Sequence, residues 1–548
     1  MIKMKLVSSL EKCFWDDSID SKKEINKLSM FKNERVAFQV AFTDSERVPV
    51  THRLRMTVNS DISDSISVLR VMNVPVLHPA RVSHDDNYIK DTPGLYPDLL
   101  VPWDESLPIY IDDMQLNSMW IEIDSPKQAG IYNISVAICD SNQTICEKTL
   151  ELKVIDACLP EQDLIYTQWF YCDCLMSYYK TKPFDDRHFE IIFEYMKNTV
   201  AHGVNMILTP VFTVALDTAV GHERPTTQLV DIKLDNGKYS FCFKKLGKYI
   251  DLALKAGIKY FEISHFFTQW GAKATPKVVA TVDGVEKKIF GWETLSDSPE
   301  YTEFLKVFIP RLVAYLKKKK VDKFCRFHIS DEPHVNDIEM YLKAHNVIKP
   351  LLRDYPIMDA LSDYEFYRTG IVDIPIPSTT SIGKFYQNKV PGLWTYYCCG
   401  QWKDVSNHFI AMPSARNRII GAQLYKFNIH GFLQWGYNFW YSILSYYPIN
   451  PFLTTDADYF SEAGDHFVVY PSPDGKPFSS LRQKVFYNAL TDLRAFKMCE
   501  KFYGKDYVLS IIESDGRTLD FNVSDYSTEY VDSVREKINY AIEEALKK

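Results

Sequence analysis

Residues 324–334 read Phe-Cys-Arg-Phe-His-Ile-Ser-Asp-Glu-Pro-His, an apolar run that ends in two adjacent carboxylates and a proline. The apolar part is typical of a buried strand, and carboxylates at the end of such a strand cost free energy unless something there uses them. Pro333 is expected to hold Glu332 in extended geometry, so that the strand does not continue directly into a helix. The stretch therefore predicts a strand that delivers Asp331 and Glu332 to a functional site.

Seven further short apolar runs accompany this one, and helical patterns alternate with them. The eight predicted strands are residues 165–172, 203–209, 258–264, 324–330, 357–361, 371–376, 392–397 and 431–435. The main helices predicted between them are residues 186–202, 243–256, 299–319, 335–352 and 414–427. Eight such units predict a (β/α)8 barrel. A doubly wound open sheet alternates in the same way, but no glycine-rich nucleotide fingerprint follows any of these strands. The connections after the second and third strands, residues 210–241 and 265–300, are long, and we expect them to be loops at the mouth of the barrel that build the specificity of the site.

Residues 1–156 show short alternating runs and no long helical periodicity, which predicts an all-β sandwich. The clearest runs are 35–42, 118–123, 130–138 and 149–155, with a turn at Asp140-Ser141-Asn142 before the last one. We therefore expect two domains, a β-sandwich of residues 1–156 and a barrel catalytic domain of residues 160–548. The second includes a C-terminal helical extension near residues 480–502 and 529–548.

The composition excludes some classes of partner. The net charge is -8 and no long basic tract occurs, which argues against nucleic acid as a partner. The longest uncharged stretch, residues 427–455, contains His430, Gln434 and Pro448, so we expect no membrane span. Aromatic residues make up 14% of the chain, and aromatic rings either pack cores or carry sugar rings.

The cysteines indicate the cellular compartment. There are 11 of them, an odd number without a CxxC pair, and free thiols in a large chain are typical of a reducing compartment. No apolar run long enough for a signal peptide follows Met1. We expect a cytoplasmic protein, although a secreted chain that has lost its signal peptide has the same sequence. The oligomeric state does not follow from the sequence.

By this strand count, Asp331 and Glu332 lie at the C-terminal end of the fourth strand, which is the catalytic face of such barrels. Two other interpretations are open. The acids could cap the helix that is predicted to start near Val335, or they could bind a metal together with His328 and His334. The four residues show no recognised ligand spacing, so we expect neither a metal nor a cofactor.

The end of the seventh strand, residues 393–401, contains no carboxylate. A glycosidase that retains configuration by a covalent route needs a second carboxylate about 5 Å from its acid, and in many barrel glycosidases it comes from this strand end. Its absence leaves the adjacent pair to act together, as in the substrate-assisted hydrolysis of 2-acetamido sugars. Like charges in one pocket raise one pKa, so we expect one acid to stay charged and the other to hold the proton. Because neighbouring strand residues point to opposite faces, the strand must break at the pair.

Two motifs, residues 328–333 (HISDEP) and residues 431–440 (GFLQWGYNFW), resemble those of glycoside hydrolase family 123 and its wider relatives, the domain-of-unknown-function 4091 proteins. The resemblance covers about residues 160 to 500. It implies retaining exo-hydrolysis of β-linked N-acetylgalactosamine in a glycan or glycolipid. It also implies that Asp331 orients and polarises the acetamido group and that Glu332 is the acid/base.

The walls of the sugar site are expected to be mainly aromatic. Predicted substrate-binding residues are Trp169, Tyr171, His265, Trp394, Tyr396, Trp435, Tyr437, Asn438 and Trp440. Either Tyr396 or Tyr437 could hold the acetamido oxygen. Two alternative functions remain: a barrel glycosidase for a different sugar, with Asp363 or Glu365 as nucleophile, and a carbohydrate-binding protein without hydrolytic activity.

Overall fold

The computed structural model describes residues 1–46, 52–112, 115–141 and 143–547. Its N-terminal part forms two five-stranded sheets, in the orders β1-β3-β8-β5-β6 and β2-β10-β9-β4-β7. The strands are β1 (Ile2–Ser8), β2 (Lys27–Phe31), β3 (Arg35–Asp44), β4 (His52–Asn59), β5 (Ile66–Val76), β6 (Gly94–Pro102), β7 (Ile109–Ile111), β8 (Asn117–Asp124), β9 (Gly130–Asp140) and β10 (Gln143–Ile155). Asn142 of the predicted turn lies outside the described residues.

A common apolar core is built from alternate side chains of both sheets. Its buried members include Leu6, Phe38, Val40 and Ile121 from the first sheet, and Met56, Ile134, Val136, Leu150 and Leu152 from the second. Alternation places every second side chain on this inner side, which is the pattern that the sequence carries. The four strands predicted from that pattern all lie within β3, β8, β9 and β10.

From residue 165 onward strands and helices alternate. The elements are β11 (Ile165–Gln168), α1 (Cys172–Tyr179), α2 (Asp186–Ala201), β12 (Met206–Thr209), β13 (Asp231–Asp235), β14 (Lys238–Cys242), α3 (Lys244–Ala256), β15 (Tyr260–Ile263), β16 (Val278–Val282), β17 (Val285–Phe290), α4 (Pro299–Lys318), β18 (Cys325–Phe327), α5 (Ile338–Ile348), β19 (Met358–Ala360), α6 (Tyr364–Arg368), β20 (Ile374–Ile376), α7 (Gly383–Gln387), β21 (Trp394–Tyr397), α8 (Ser414–Arg418), α9 (Ile420–Lys426) and β22 (Gly431–Gln434). They are followed by β23 (Val469–Pro471), β24 (Pro477–Ser479), α10 (Leu481–Tyr503), α11 (Lys505–Ile512) and α12 (Thr528–Leu546).

Eight of these strands pair into a ring. A six-stranded parallel sheet has the order β18-β15-β12-β11-β22-β21, and β19 pairs in parallel with β20. Parallel bridges from Phe327 to Ile357 and from Ser378 to Tyr396 join the two sheets at both ends. The eight predicted strands are therefore all present, in chain order, although each covers only part of the predicted run.

Several local predictions differ from the structure. Cys172 to Cys174 were predicted at the end of a strand and inside an apolar run, but they begin helix α1. The long connections after β12 and β15 are not plain loops, because they contain hairpins that form a four-stranded sheet of order β14-β13-β16-β17. Within the described ranges, no helix is long and apolar enough to cross a membrane.

Buried charge pairs join the N-terminal sheets to the C-terminal helices. The pairs are Asp98–Arg482 (2.8 Å), Glu34–Arg535 (2.6 Å) and Glu122–Lys484 (2.9 Å). The acids come from the N-terminal part and the bases from α10 and α12. The helical extension therefore packs on its own chain, between the sheets and the ring.

Candidate active site

A cavity of about 220 Å³ opens at the C-terminal ends of the ring strands. Its lining residues are Trp169, Asp217, Trp270, Asp331, Glu332, Ala360, Tyr396, Cys398, Cys399, Leu433, Trp435 and Phe460. Three of them are carboxylic acids, four are aromatic rings of Trp or Phe, and none is Lys, Arg or His. Such a set can bind a neutral, hydroxyl-rich ligand with apolar ring faces.

Asp331 and Glu332 both reach this cavity because the backbone turns at Glu332. The strand β18 already ends at Phe327, and Glu332 has a φ of +41°, in the left-handed region that few non-glycine residues adopt. The prediction of extended geometry at Glu332 is therefore wrong. Pro333 disfavours the right-handed helical region, but the turn is fixed by the Glu332 amide, which donates to the Ala360 carbonyl (3.0 Å). This turn places the side chains of Asp331 and Glu332 on the same side of the backbone, whereas a regular strand would place them on opposite sides.

The acid pair does not cap the following helix. Helix α5 begins at Ile338, and its N-cap residue is Asp337, which makes no side-chain cap hydrogen bond. The short helical turn before it has His334 as its N-cap. The capping interpretation of Asp331 and Glu332 is thus wrong, and both carboxyl groups are available to the cavity.

Burial and mutual repulsion act on the carboxyl groups of the cavity. Burial, followed by the charges of Glu332 and Asp217, raises the pKa of Asp331 well above its usual range. Burial and then the charge of Glu332 raise the pKa of Asp217 to about 7. Of the acid pair, Asp331 therefore favours the protonated form, whereas the resemblance assigns the proton-transfer role to Glu332.

Tyr396 is the hydroxyl that lies against the acid pair. Its Oη donates a hydrogen bond to Oε1 of Glu332 (2.5 Å). Burial, together with the charge of Glu332, raises the pKa of Tyr396 well above its usual range, so the phenol stays protonated and remains a donor. Of the two tyrosines proposed to hold the acetamido oxygen, Tyr396 lies in the cavity.

A buried network lies beneath the acid pair. His328 Nε2 is 2.8 Å from Glu262 Oε1, and His328 Nδ1 is 2.9 Å from Asp359 Oδ1. Burial lowers the pKa of His328, but the hydrogen bonds to Asp359 and Glu262 raise it to about 9. The same carboxylates hold other parts of the site, since Glu262 accepts from the Trp169 indole (2.8 Å) and Asp359 from the Ile329 amide (3.1 Å).

This network includes a group with the residue types of a metal site. One potential ligand atom from each of His265, His328 and Asp359 lies within 4.8 Å of the others. Both nitrogens of His328 are already hydrogen-bonded to carboxylates, and an imidazolium cannot bind a metal. We therefore interpret the group as a charge network that supports the strand ends.

The predicted substrate-binding residues divide into two sets. Trp169, Tyr396 and Trp435 line the cavity. Six others are buried away from the cavity lining: Tyr171, His265, Trp394, Tyr437, Asn438 and Trp440. Asn438 and Tyr437 have structural contacts. The Asn438 side chain bonds both the amide and the carbonyl of Tyr171 (2.9 and 3.1 Å), and the Tyr437 hydroxyl donates to Asn198 Oδ1 (2.9 Å).

The alternative nucleophiles do not lie at this cavity. Asp363 caps α6 by accepting from the Glu365 amide (3.0 Å), and Glu365 accepts two hydrogen bonds from Arg368 (2.8 and 2.6 Å). Neither residue is among those that line the cavity. The end of β21 delivers Tyr396, Cys398 and Cys399 instead of a carboxylate.

Sequence reasoning missed several cavity residues that lie on loops, chiefly Asp217, Trp270 and Phe460. Asp217 and Trp270 follow β12 and β15, and long loops at strand ends were expected to build the specificity of the site. That expectation named the loops but not the residues. A carboxylate or a tryptophan within those two loops was the available signal.

Comparisons with known proteins place the chain in a family. The family model described as glycoside hydrolase 123, catalytic domain, matches residues 169–499, which is more than half of the chain. No curated protein matches the chain.

The chain is similar to solved structures of glycoside hydrolases. A family 123 glycoside hydrolase from Clostridium perfringens, solved to explain glycolipid glycan hydrolysis, superposes with a TM-score of 0.75 at 17% identity, over 100% of this chain and 98% of that one. A family 39 enzyme from Bacteroides cellulosilyticus WH2 has a TM-score of 0.34 at 10% identity, over 78% of this chain and 77% of that one. The likeness to the Clostridium perfringens enzyme covers the N-terminal sheets as well as the ring. The resemblance read from the two motifs is confirmed, and the chain belongs to glycoside hydrolase family 123.

Proposed function

We propose that the chain is a retaining, exo-acting glycosidase that removes β-linked N-acetylgalactosamine with the help of the substrate's own acetamido group. In this proposal the ring of strands is a (β/α)8 barrel within a catalytic domain of residues 160–548, and the N-terminal sheets form a β-sandwich domain of residues 1–156. Membership of family 123 supports hydrolysis of a glycosidic bond. The glycan of a glycolipid is the substrate class of the Clostridium perfringens relative.

The observation that carries this proposal is the adjacent acid pair in a cavity that receives no carboxylate from β21. A covalent route needs a nucleophile across the sugar from the acid. When the substrate's acetamido oxygen attacks C1 instead, the enzyme needs one carboxylate at the amide N–H and one proton donor at the glycosidic oxygen. Asp331 and Glu332 are suited to these two tasks.

The roles follow from what each carboxyl group contacts. The Asp331 carboxyl has no hydrogen-bond partner among the described residues, so it is free to accept from an amide N–H of the substrate. Such a bond favours the charged form and would lower the raised pKa of Asp331 when substrate binds. Glu332 would then protonate the leaving oxygen and later deprotonate water, while Tyr396 holds its carboxyl in place (2.5 Å).

The size and the walls of the cavity support exo-action. Its volume of about 220 Å³ is suited to one sugar ring with its acetamido group. The Trp169 and Trp435 indoles are held by buried carboxylates, Glu262 (2.8 Å) and Asp465 (2.9 Å). Rigid walls of this kind press the acetamido group toward C1, and such positioning contributes several kcal/mol to catalysis in general.

The test is turnover of aryl β-glycosides that differ only at C2 and C4, by wild type, Asp331→Asn and Glu332→Gln. We expect hydrolysis to require the 2-acetamido group and to prefer the galacto configuration. Each variant should lose about 100- to 10,000-fold in kcat, and Glu332→Gln should lose least with the most acidic phenol as leaving group. A thiazoline analogue of the sugar should inhibit.

Other outcomes identify the alternatives. Full activity in either variant contradicts the mechanism, and a trapped covalent glycosyl-enzyme supports a glycosidase for a different sugar. Sugar affinity that Glu332→Gln leaves unchanged, with no product from the wild type, identifies a carbohydrate-binding protein.

A further inference from the structure

Asp217 is a third carboxylic acid in the cavity to which the mechanism gives no task. It lies in the loop after β12 and lines the cavity together with Asp331 and Glu332. Its side chain is half-buried, and within the described ranges its carboxyl group forms neither a hydrogen bond nor an ion pair. A half-buried carboxyl group without a protein donor is open to a hydrogen-bond donor that a ligand supplies.

The backbone holds Asp217 rigidly in this position. Its φ is +46°, in the left-handed region. Ser445 Oγ donates to its carbonyl (2.7 Å), and Gln269 bonds both the amide and the carbonyl of the next residue, Thr218 (3.4 and 3.0 Å). Loops that follow three different ring strands therefore fix one unpartnered carboxyl group. Such a preorganised acceptor is a common feature of binding sites.

Among the described residues that line the cavity, none is basic. The guanidinium of Arg224 acts on Asp217 electrostatically, but its Nε and Nη2 donate to the two carboxylate oxygens of Asp173 (2.7 and 2.9 Å), and it is buried outside the cavity lining. An anionic group on the sugar would therefore face three carboxyl groups without a counter-charge. Hydroxyl groups, in contrast, can donate to them.

We infer that Asp217 is a specificity-determining residue: it accepts hydrogen bonds from hydroxyl groups of the terminal sugar and excludes sugars that carry sulfate or carboxylate substituents. This inference rests on the proposed function, because it assigns the substrate class of the same cavity. The inferred specificity is for a neutral terminal N-acetylhexosamine and against its sulfated forms.

The test compares wild type with Asp217→Asn and a control, Asp64→Asn. Asparagine has the size of aspartate and tolerates left-handed φ, so the variant keeps the loop geometry. Asp64 is exposed in the connection between β4 and β5, and its side chain has no partner among the described residues, so its substitution makes the same charge change away from the cavity. The substrates are an aryl β-N-acetylgalactosaminide, its 4- and 6-sulfates, and its 4- and 6-deoxy analogues.

We expect wild type and Asp64→Asn to prefer the neutral substrate over both sulfates by at least about 100-fold in kcat/KM. Asp217→Asn should lower kcat/KM on the neutral substrate by about 10- to 100-fold and narrow the preference over one sulfate by at least about 10-fold. The deoxy analogue that lacks the hydroxyl bound by Asp217 should lower the kcat/KM of wild type by a similar factor. It should lower the kcat/KM of Asp217→Asn little, because the substitution and the missing hydroxyl remove the same interaction.

Three outcomes would overturn the inference. The first is an unchanged kcat/KM and sulfate preference in Asp217→Asn. The second is that the loss of kcat/KM caused by Asp217→Asn simply adds to the loss caused by each of the two deoxy changes. The third is rescue of Asp217→Asn by azide with formation of a glycosyl azide, which would make Asp217 a nucleophile. If wild type hydrolyses no N-acetylhexosaminide, the proposed function fails. The role of Asp217 is then decided by calorimetry, which compares the binding of neutral and sulfated sugars to Glu332→Gln and to the double variant Glu332→Gln, Asp217→Asn.

Discussion

At the scale of single residues, Tyr396 and Tyr437 offer the same hydroxyl group in two different surroundings. Tyr396 donates to the catalytic candidate Glu332 (2.5 Å) at the cavity. Tyr437 donates to Asn198 of α2 (2.9 Å) and to the Tyr195 carbonyl (3.3 Å), outside the cavity lining. The sequence could not distinguish them, because Tyr396 lies near the end of the ring strand β21 and Tyr437 lies just after the ring strand β22.

We expect Tyr396→Phe to lower kcat by about 10- to 100-fold, since it removes a hydrogen bond that positions the Glu332 carboxyl group for proton transfer. Tyr437→Phe should leave kcat unchanged and lower the free energy of unfolding by about 1 kcal/mol, because it removes only a buried structural hydrogen bond. Steady-state kinetics and urea unfolding of both variants check this. A normal kcat for Tyr396→Phe, or a large loss for Tyr437→Phe, would contradict the assignment.

Site residues could be predicted where their type is unusual for their position in the sequence. Asp331 and Glu332 could be identified because two carboxylates at the end of an apolar strand are costly without a function. The aromatic residues carried no such signal, since the ring types that line the cavity also pack the core. Trp169 and Trp435 are held toward the cavity by Glu262 and Asp465, which are contacts between distant parts of the chain.

At the scale of elements, the packing of β21 against β22 keeps an aromatic residue out of the cavity. The two strands pair in parallel, with Trp394 opposite Gly431. A Cβ atom at Gly431 would lie 2.0 Å from the Trp394 ring, so the indole occupies the space that any other side chain would need. Trp394 was predicted to bind substrate, but it fills this gap and is 3% exposed.

Gly431→Ala should therefore lower the free energy of unfolding by at least about 1–3 kcal/mol, because the buried indole must move. The matched control is Gly383→Ala in α7, where an added Cβ meets nothing within 4 Å. The control should change stability by less than about 1 kcal/mol, since alanine suits a helix. Urea unfolding measures both variants, and equal stabilities would show that Trp394 does not depend on this gap.

Element prediction succeeded for the ring strands and failed in the long connections. Short apolar runs between helical patterns identified all eight ring strands, because strands buried on both faces read as continuous apolar segments. The hairpins β13–β14 and β16–β17 were missed, although Asn236-Gly237 and Asp283-Gly284 are two-residue turn signals. All four turn residues have positive φ, as such turns require. Expecting only loops after barrel strands hid that signal.

At the scale of the whole molecule, buried charges link the N-terminal sheets to the helical extension. Asp98 of β6 accepts two hydrogen bonds from Arg482 of α10 (2.9 and 2.8 Å) and one from Tyr470 (2.6 Å). Arg482 also donates to the Phe467 carbonyl (2.7 Å), in the loop that follows β22. A single acid of the N-terminal part thus orders a helix and a loop that pack behind the cavity. Such pairs join segments that are far apart in sequence, so periodicity could not reveal them.

Replacing that acid tests how strongly the two parts of the chain depend on each other. Asp98→Asn leaves the Arg482 charge buried without the counter-charge of Asp98, because both side chains are almost completely buried (0% and 2% exposed). Breaking such a pair costs about 3–5 kcal/mol, far more than an exposed ion pair contributes. We expect a loss of this size in urea unfolding followed by tryptophan fluorescence.

The matched control is Asp163→Asn, which breaks the Lys497–Asp163 pair of the same helix α10 (2.6 Å), where the acid is 67% exposed. It should cost at most about 1 kcal/mol. If Asp98→Asn costs no more than this control, the Asp98–Arg482 pair does not contribute measurably to holding the two parts together. If Asp98→Asn also lowers kcat on the aryl glycoside while Asp163→Asn does not, the loop that Arg482 orders helps to shape the cavity, because Phe460 on the same connection lines it.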